Sequence, residues 1–183
     1  MTGLPRGPRV RLGADGRPAN RDAALVGELA AYQDAVVRSG LLDATTTELV
    51  RLRCARQHDC RICQTLRLAD AVAAGVGGDM TDKIDVYERS DLDERYKVAL
   101  RLTDAMIWRP TEVSDELVRQ AHEHFTDAEL AELLLDITKW STQKIHVALG
   151  TDGADALPRD AAGVSYLRFD DAGRAVTSGA ITP

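Results

Sequence analysis

Aromatic residues are scarce: Phe, Trp and Tyr together make up 4% of the 183 residues. A platform that stacks nucleic-acid bases needs such rings. The charge balance points the same way, with 29 acidic against 23 basic side chains and a formal net charge of -6; a nucleic-acid binder carries a basic footprint. No stretch approaches the roughly 18 uncharged apolar residues of a membrane span. The opening MTGLPRGPRVRL has charge but no apolar segment of about 7–15 residues, so it does not read as a secretory signal. These features predict a cytoplasmic protein with neither nucleic acid nor membrane as partner. Cysteine is sparse too, at three. An odd number in a reducing compartment does not suggest a disulfide framework, so each cysteine needs its own explanation. What is present is ordinary for a globular chain: 44% hydrophobic and 28% charged residues, a mixture that excludes wholesale disorder. The length suits one compact domain.

Residues 1–20 hold Pro5, Pro8, Pro18 and four glycines without helical period, and read as an extended N-terminal arm. From residue 21 to 150 the apolar positions recur at three- and four-residue steps, which predicts an all-α domain of about six or seven helices. One helix runs from Asp22 to Gly40. A second begins near Asp43, where Thr45 and Glu48 have capping-box spacing, and ends near His58. A third carries Ile62, Leu66, Ala69, Val72 and Ala73 to Gly75. Asp91–Trp108 forms another, stopped by Pro110, which lacks a backbone donor. Ser114 caps a helix to Phe125, and Thr126 with Glu129 starts a long one reaching Leu149. Residues 151–183 lose the helical period. There Tyr166–Phe169 and Arg174–Thr177 flank Asp170-Asp171-Ala172-Gly173, the pattern of a hairpin, read as a C-terminal arm appended to the domain and suited to binding a subunit.

The chemically distinctive feature is Cys60-Arg61-Ile62-Cys63. Two intervening residues place both sulfurs on one face of a first helical turn, within disulfide reach. Near a helix N-terminus the free N–H groups favour a thiolate, which is the nucleophile. Two other readings stay open on the residues alone. The pair can be inert and apolar, or Cys54, His58, Cys60 and Cys63 can supply four zinc ligands, although their spacing is compressed relative to ordinary zinc modules. A thioredoxin fold would need a strand before the pair, and the flanks here are helical.

Glu48-Leu49-Val50-Arg51, followed by the cysteine pair twelve residues after Glu48, resembles the alkylhydroperoxidase D-like branch of the carboxymuconolactone decarboxylase family. Lys144-Ile145-His146-Val147-Ala148-Leu149-Gly150 is similar to that family as well, and the resemblance covers roughly residues 20–150. It implies an all-α fold, assembly as a homo-oligomer (trimer or hexamer) and no cofactor. It further implies reduction of organic hydroperoxides at Cys63, which would pass through a sulfenic acid, with Cys60 donating a proton and then closing the disulfide. A dithiol or lipoyl-bearing reductant would reset the pair. In one respect the chain departs from the family pattern. Four residues beyond Cys63 stands Arg67, where histidine is usual. Arginine does not relay protons near neutral pH, but on a shared helix face it can stabilise a thiolate.

Glu48 has two readings of equal weight, a capping-box partner of Thr45 or a buried general base for Cys63. His58 is an auxiliary base candidate. Cys54 reads as a buried core residue, His146 as a helix-terminal group, and His122 and His124 as part of a solvated face. The arginines at 51, 53, 56, 61 and 67 read as ion-paired helix surface. Three functions follow: a thiol-dependent peroxidase or disulfide reductase using Cys60, Cys63 and Glu48; a lactone decarboxylase of the same family, a branch that lacks the cysteine pair; or a catalytically idle helical oligomer serving as redox sensor or binding module.

Overall fold

A computed structural model of the chain describes residues 7–14, 16, 18, 19, 22–153 and 157–181. Pro5 and the rest of residues 1–6, and positions 15, 17 and 20 of the expected N-terminal arm, lie outside them. The fold is mostly α-helical with one small sheet, in keeping with the helical period.

Its centre is helix α2 (Ala44–Gln57), packed between α6 (Glu94–Trp108) and α8 (Asp127–Ser141). The apolar steps of the three helices meet there. Leu49, Val50, Leu52 and Cys54 of α2, Val98 and Leu100 of α6, and Leu133 and Ile137 of α8 are all essentially fully buried. Helix α1 (Ala23–Val37) lies against α8, and α7 (Asp115–His124) against α6. Caps appear where the sequence signals them. Asp22 receives the N–H groups of Ala24 and Leu25, Ser114 that of Leu117, and Thr126 and Glu129 form the reciprocal capping box. The Thr45–Glu48 box does not form. Asp43 caps α2 instead, its carboxylate accepting from both the N–H and the hydroxyl of Thr46, so Glu48 is released inward.

Two helices anticipated as continuous are interrupted. The third breaks into α3 (Arg61–Thr65), strand β1 (Leu66–Leu68) and α4 (Ala69–Ala73), and the short helix α5 (Gly78–Asp82) follows. The cause is non-local: β1 pairs in parallel with β2 (Ser165–Phe169), Leu66 opposite Ser165 and Leu68 opposite Leu167. A partner strand about a hundred residues away takes the backbone groups that a helix would have used internally, and apolar periodicity does not record this. The last helix breaks at Thr142, whose hydroxyl donates to the Lys139 carbonyl, and resumes as α9 (Lys144–Leu149).

The C-terminal hairpin forms as anticipated, β2 pairing antiparallel with β3 (Ala175–Ser178). Asp170 organises its turn by accepting from the N–H groups of Ala172 and Arg174. The hairpin is no detached appendage. Besides pairing with β1, its turn presses on α1: Gly173 has φ of +77°, and a Cβ there would lie 3.0 Å from Asp34 Cα and closer still to Asp34 Cβ. Only glycine permits both that conformation and that approach. The arm thereby becomes a wall over the cysteine pair.

Candidate active site

The chain leaves α2 through a left-handed residue. Asp59 has φ of +51°, and the N–H groups of Asp59 and Cys60 donate to the carbonyls of Arg56 and Ala55. This is the paired closure of a Schellman ending. It turns Cys60 back onto α2, among Ala55, Ile62 and Val147. Cys60 is the N-cap of α3, its sulfur accepting from the Cys63 N–H. Cys60 and Cys63 are joined as a disulfide, with Cα atoms 5.3 Å apart. The two sulfurs therefore face each other as the spacing requires, but they are placed unequally. Cys60 is fully buried, whereas Cys63 lines a cavity of about 490 Å³.

Asp152, fully buried, pins this turn from outside it. Its carboxylate accepts from the Arg61 backbone N–H at 3.0 Å and from the Arg61 guanidinium at 2.8 Å, and its carbonyl accepts from the Ile62 N–H. Burial pushes the Asp152 carboxyl up, but the Arg61 contacts outweigh this and hold it below its ordinary value. Sequence reasoning missed Asp152, because nothing local marks a residue some ninety positions away as a helix cap.

Glu48 points into the interior with no solvent exposure, and both of its oxygens are taken by Arg51, at 2.7 and 2.9 Å. The same guanidinium donates to the Cys63 carbonyl at 2.9 Å and the Leu66 carbonyl at 2.6 Å. Glu48 is thus linked to the cysteine loop through Arg51. Arg51 is buried, contrary to its reading as ion-paired helix surface. Arg53 and Arg56 do form surface or half-buried ion pairs, with Asp104 and Asp85. Arg67 lies on β1, not on a helix with Cys63, so the shared-face argument for it does not hold. Its guanidinium turns back to the carbonyls of Gln64 and Leu66, capping the end of α3. His58 is the C-cap of α2, with Nε2 3.1 Å from the Ser141 hydroxyl. Burial and then the Lys144 ammonium push its imidazole down, which keeps it neutral at pH 7. Cys54 is a core residue, its thiol pushed up to about 12 by burial. Among the described residues, no group of three or more His, Cys, Asp or Glu side chains is placed to hold a metal ion. The four-ligand zinc arrangement is therefore not assembled.

The cavity lies between α3, α8 and the hairpin. Arg51 and Cys63 contribute from the cysteine side, Leu167 and Phe169 from the hairpin, and Lys139 and Trp140 from α8. Lys139 is the second residue that sequence reasoning passed over. It sits on the buried side of α8, 4% exposed, with its Nζ 3.0 Å from the centre of the Trp140 ring. Burial pulls its ammonium down to about 7 against the attraction of Asp136. Burial also raises the Asp136 carboxyl to about 7, Lys139 opposing.

No protein-family model matches the chain. It is 38% identical over 146 residues to uncharacterized proteins from two strains of Mycobacterium tuberculosis, a match covering 79% of this chain and 50% of theirs. The chain spans about half the length of these relatives. It is 25% identical over 118 residues to the uncharacterized protein YdfG of Bacillus subtilis, covering 62% of this chain and 79% of that one. Its fold matches a crystal structure from Agrobacterium tumefaciens of a protein of unknown function, for which a role as the antioxidant defence protein AhpD has been suggested. The TM-score is 0.60 at 20% identity, over 70% of this chain and 89% of that one. The chain therefore shares its fold with that structure, in keeping with the mostly helical fold that the family resemblance implied.

Proposed function

We propose that this chain is an alkylhydroperoxidase D-like thiol oxidoreductase that reduces organic hydroperoxides at Cys63. The observation that carries the reading is the unequal placement of the pair: Cys63 opens to the apolar cavity while Cys60, bonded to it, is sealed behind. That is the arrangement of an attacking and a resolving sulfur. In the first step the Cys63 thiolate attacks the terminal peroxide oxygen and the O–O bond breaks. The alkoxide leaves and takes the Cys60 proton to become the alcohol, and Cys63 becomes the sulfenic acid. In the second, the Cys60 thiolate attacks Cys63, the S–O bond breaks, and hydroxide leaves as water with a proton from solvent. An external dithiol, a lipoyl group being one such donor, then exchanges with the disulfide and is itself oxidised.

Mass spectrometry of the reduced protein after one equivalent of cumene hydroperoxide tests this directly. The wild type is expected to close the Cys60–Cys63 disulfide within the mixing time of a turnover assay. Cys60→Ser should stop at the Cys63 sulfenic acid, and Cys63→Ser should show no peroxide-dependent change above background. Equal oxidation of wild type and Cys63→Ser would refute the reading.

One observation favours a second reading, a redox sensor. Both Glu48 oxygens are engaged by Arg51, and Arg67 stands where a histidine would relay protons. A sensor predicts slow disulfide closure and an oxidation-dependent change in assembly, without sustained consumption of peroxide.

We further propose a cytoplasmic homo-oligomer. No helix among the described residues is long and apolar enough to cross a membrane, yet α8 leaves Leu134 and Leu135 at 39% and 49% exposure on the side away from the core. Uncovered apolar side chains on a helix whose other face is buried mark a contact surface. Gel filtration is expected to give a trimer or larger, and elution as a monomer at micromolar concentration would contradict it.

A further inference from the structure

The Lys139 ammonium is an anomaly in the cavity wall. A lysine is almost never fully buried unless paired, because the desolvated charge is costly. Yet among the described residues no hydrogen bond or ion pair takes up its Nζ, which keeps some solvent access in the cavity wall; its contacts are the faces of Trp140 at 3.0 Å and Phe169 at 5.2 Å. Ring faces compensate a desolvated cation only in part. The neighbouring Trp140 adds a second donor without an acceptor, its buried Nε1. The other cation in the wall, Arg51, is already committed to Glu48 and two backbone carbonyls. The charged groups nearest Lys139 on other elements or turns are Asp34 of α1, Asp136 and Arg51. Neither carboxylate forms an ion pair with it.

We propose that the Cys63 cavity takes an amphipathic substrate with a carboxylate at one end, bound by Lys139, and an apolar chain running along Leu66, Leu167 and Phe169. This rests on the thiol-oxidoreductase reading for the reaction, but not for the binding. The carboxylate supplies the acceptor that the buried ammonium lacks, and in a low-dielectric wall such a charge-assisted contact is strong. Size is consistent with the assignment. At roughly 30 Å³ per water-sized group, the 490 Å³ cavity holds on the order of fifteen non-hydrogen atoms, the scale of a medium-chain carboxylic acid. A neutral hydroperoxide of the same length would leave the ammonium unpaired, and an unpaired buried polar group is what makes a site reject the wrong ligand.

The test is calorimetric titration of the oxidised, disulfide-closed protein with octanoate and with 1-octanol, which requires no turnover. Octanoate is expected to bind at least tenfold more tightly than the alcohol. Lys139→Met should remove that preference while keeping alcohol binding. Equal affinity of the two ligands for the wild type, or a preference that survives in Lys139→Met, overturns the assignment. Turnover of cumene hydroperoxide, which has no carboxylate, separates the two proposals. Carboxylate preference without turnover retires the peroxidase and keeps the anion site, and turnover without preference does the reverse.

Discussion

Glu48→Gln is expected to cost on the order of 3–5 kcal/mol of folding stability, the usual consequence of removing one partner of a buried ion pair. The substitution keeps the shape of the side chain. It strands the Arg51 guanidinium, 2% exposed, without its counter-charge. For a chain of this length each kcal/mol moves the melting temperature by roughly 2–4 °C, so a fall of about 6–20 °C should appear in a thermal melt. A fall below about 2 °C would show that the charge is not held as the geometry indicates. The double variant Glu48→Leu with Arg51→Leu should recover part of the loss, since removing both charges also removes both desolvation penalties. Full recovery is not expected, because Arg51 also serves the Cys63 and Leu66 carbonyls. That link carries the effect to the chemistry. Glu48→Gln should loosen the loop that holds Cys63 and speed reduction of the disulfide by dithiothreitol.

Stability as a function of pH should dip near neutrality, and Asp136 and Lys139 should be responsible. The Asp136 carboxyl is raised to about 7 by burial, so the folded chain holds that proton more tightly than the unfolded chain, whose carboxylate titrates near ~3.9. Its stabilising contribution is complete below the unfolded value and is lost as pH climbs through about 7. The Lys139 ammonium is lowered to about 7 by burial, so the folded chain holds that proton less tightly. Its penalty is complete below about 7 and is relieved as pH rises toward the unfolded value near ~10.4. The two penalties overlap around pH 7. Asp136→Asn should therefore gain on the wild type more at pH 8 than at pH 5, by on the order of 2 kcal/mol. Lys139→Met should gain more at pH 6 than at pH 9. Urea midpoints across this range read both effects, and variant curves running parallel to the wild type would refute the assignment.

The elements legible in the sequence were those specified by neighbours a few residues apart. The capping box of Thr126 and Glu129, the Ser114 cap and the Asp170–Gly173 turn all depend on contacts within four residues. The cysteine pair and its spacing from Glu48 were legible for the same reason, because one helix and one turn fix that distance. What failed was whatever a distant segment decided. Leu66–Leu68 has helical periodicity yet pairs with Ser165–Leu167, since a ladder partner outweighs a weak local preference. Glu48 met a competitor at each role: Asp43 took the cap and Arg51 took the carboxylate.

By itself, then, the sequence determined the helical class and the pair of sulfurs on one turn, because periodicity and spacing are properties of short stretches. Only the tertiary structure decided which sulfur meets the cavity, that Arg51 ties Glu48 to the cysteine loop, and that a lysine ammonium shares a wall with Cys63. Those relations exist because α2, α8 and the C-terminal hairpin converge, and burial at that convergence sets what each charge can do.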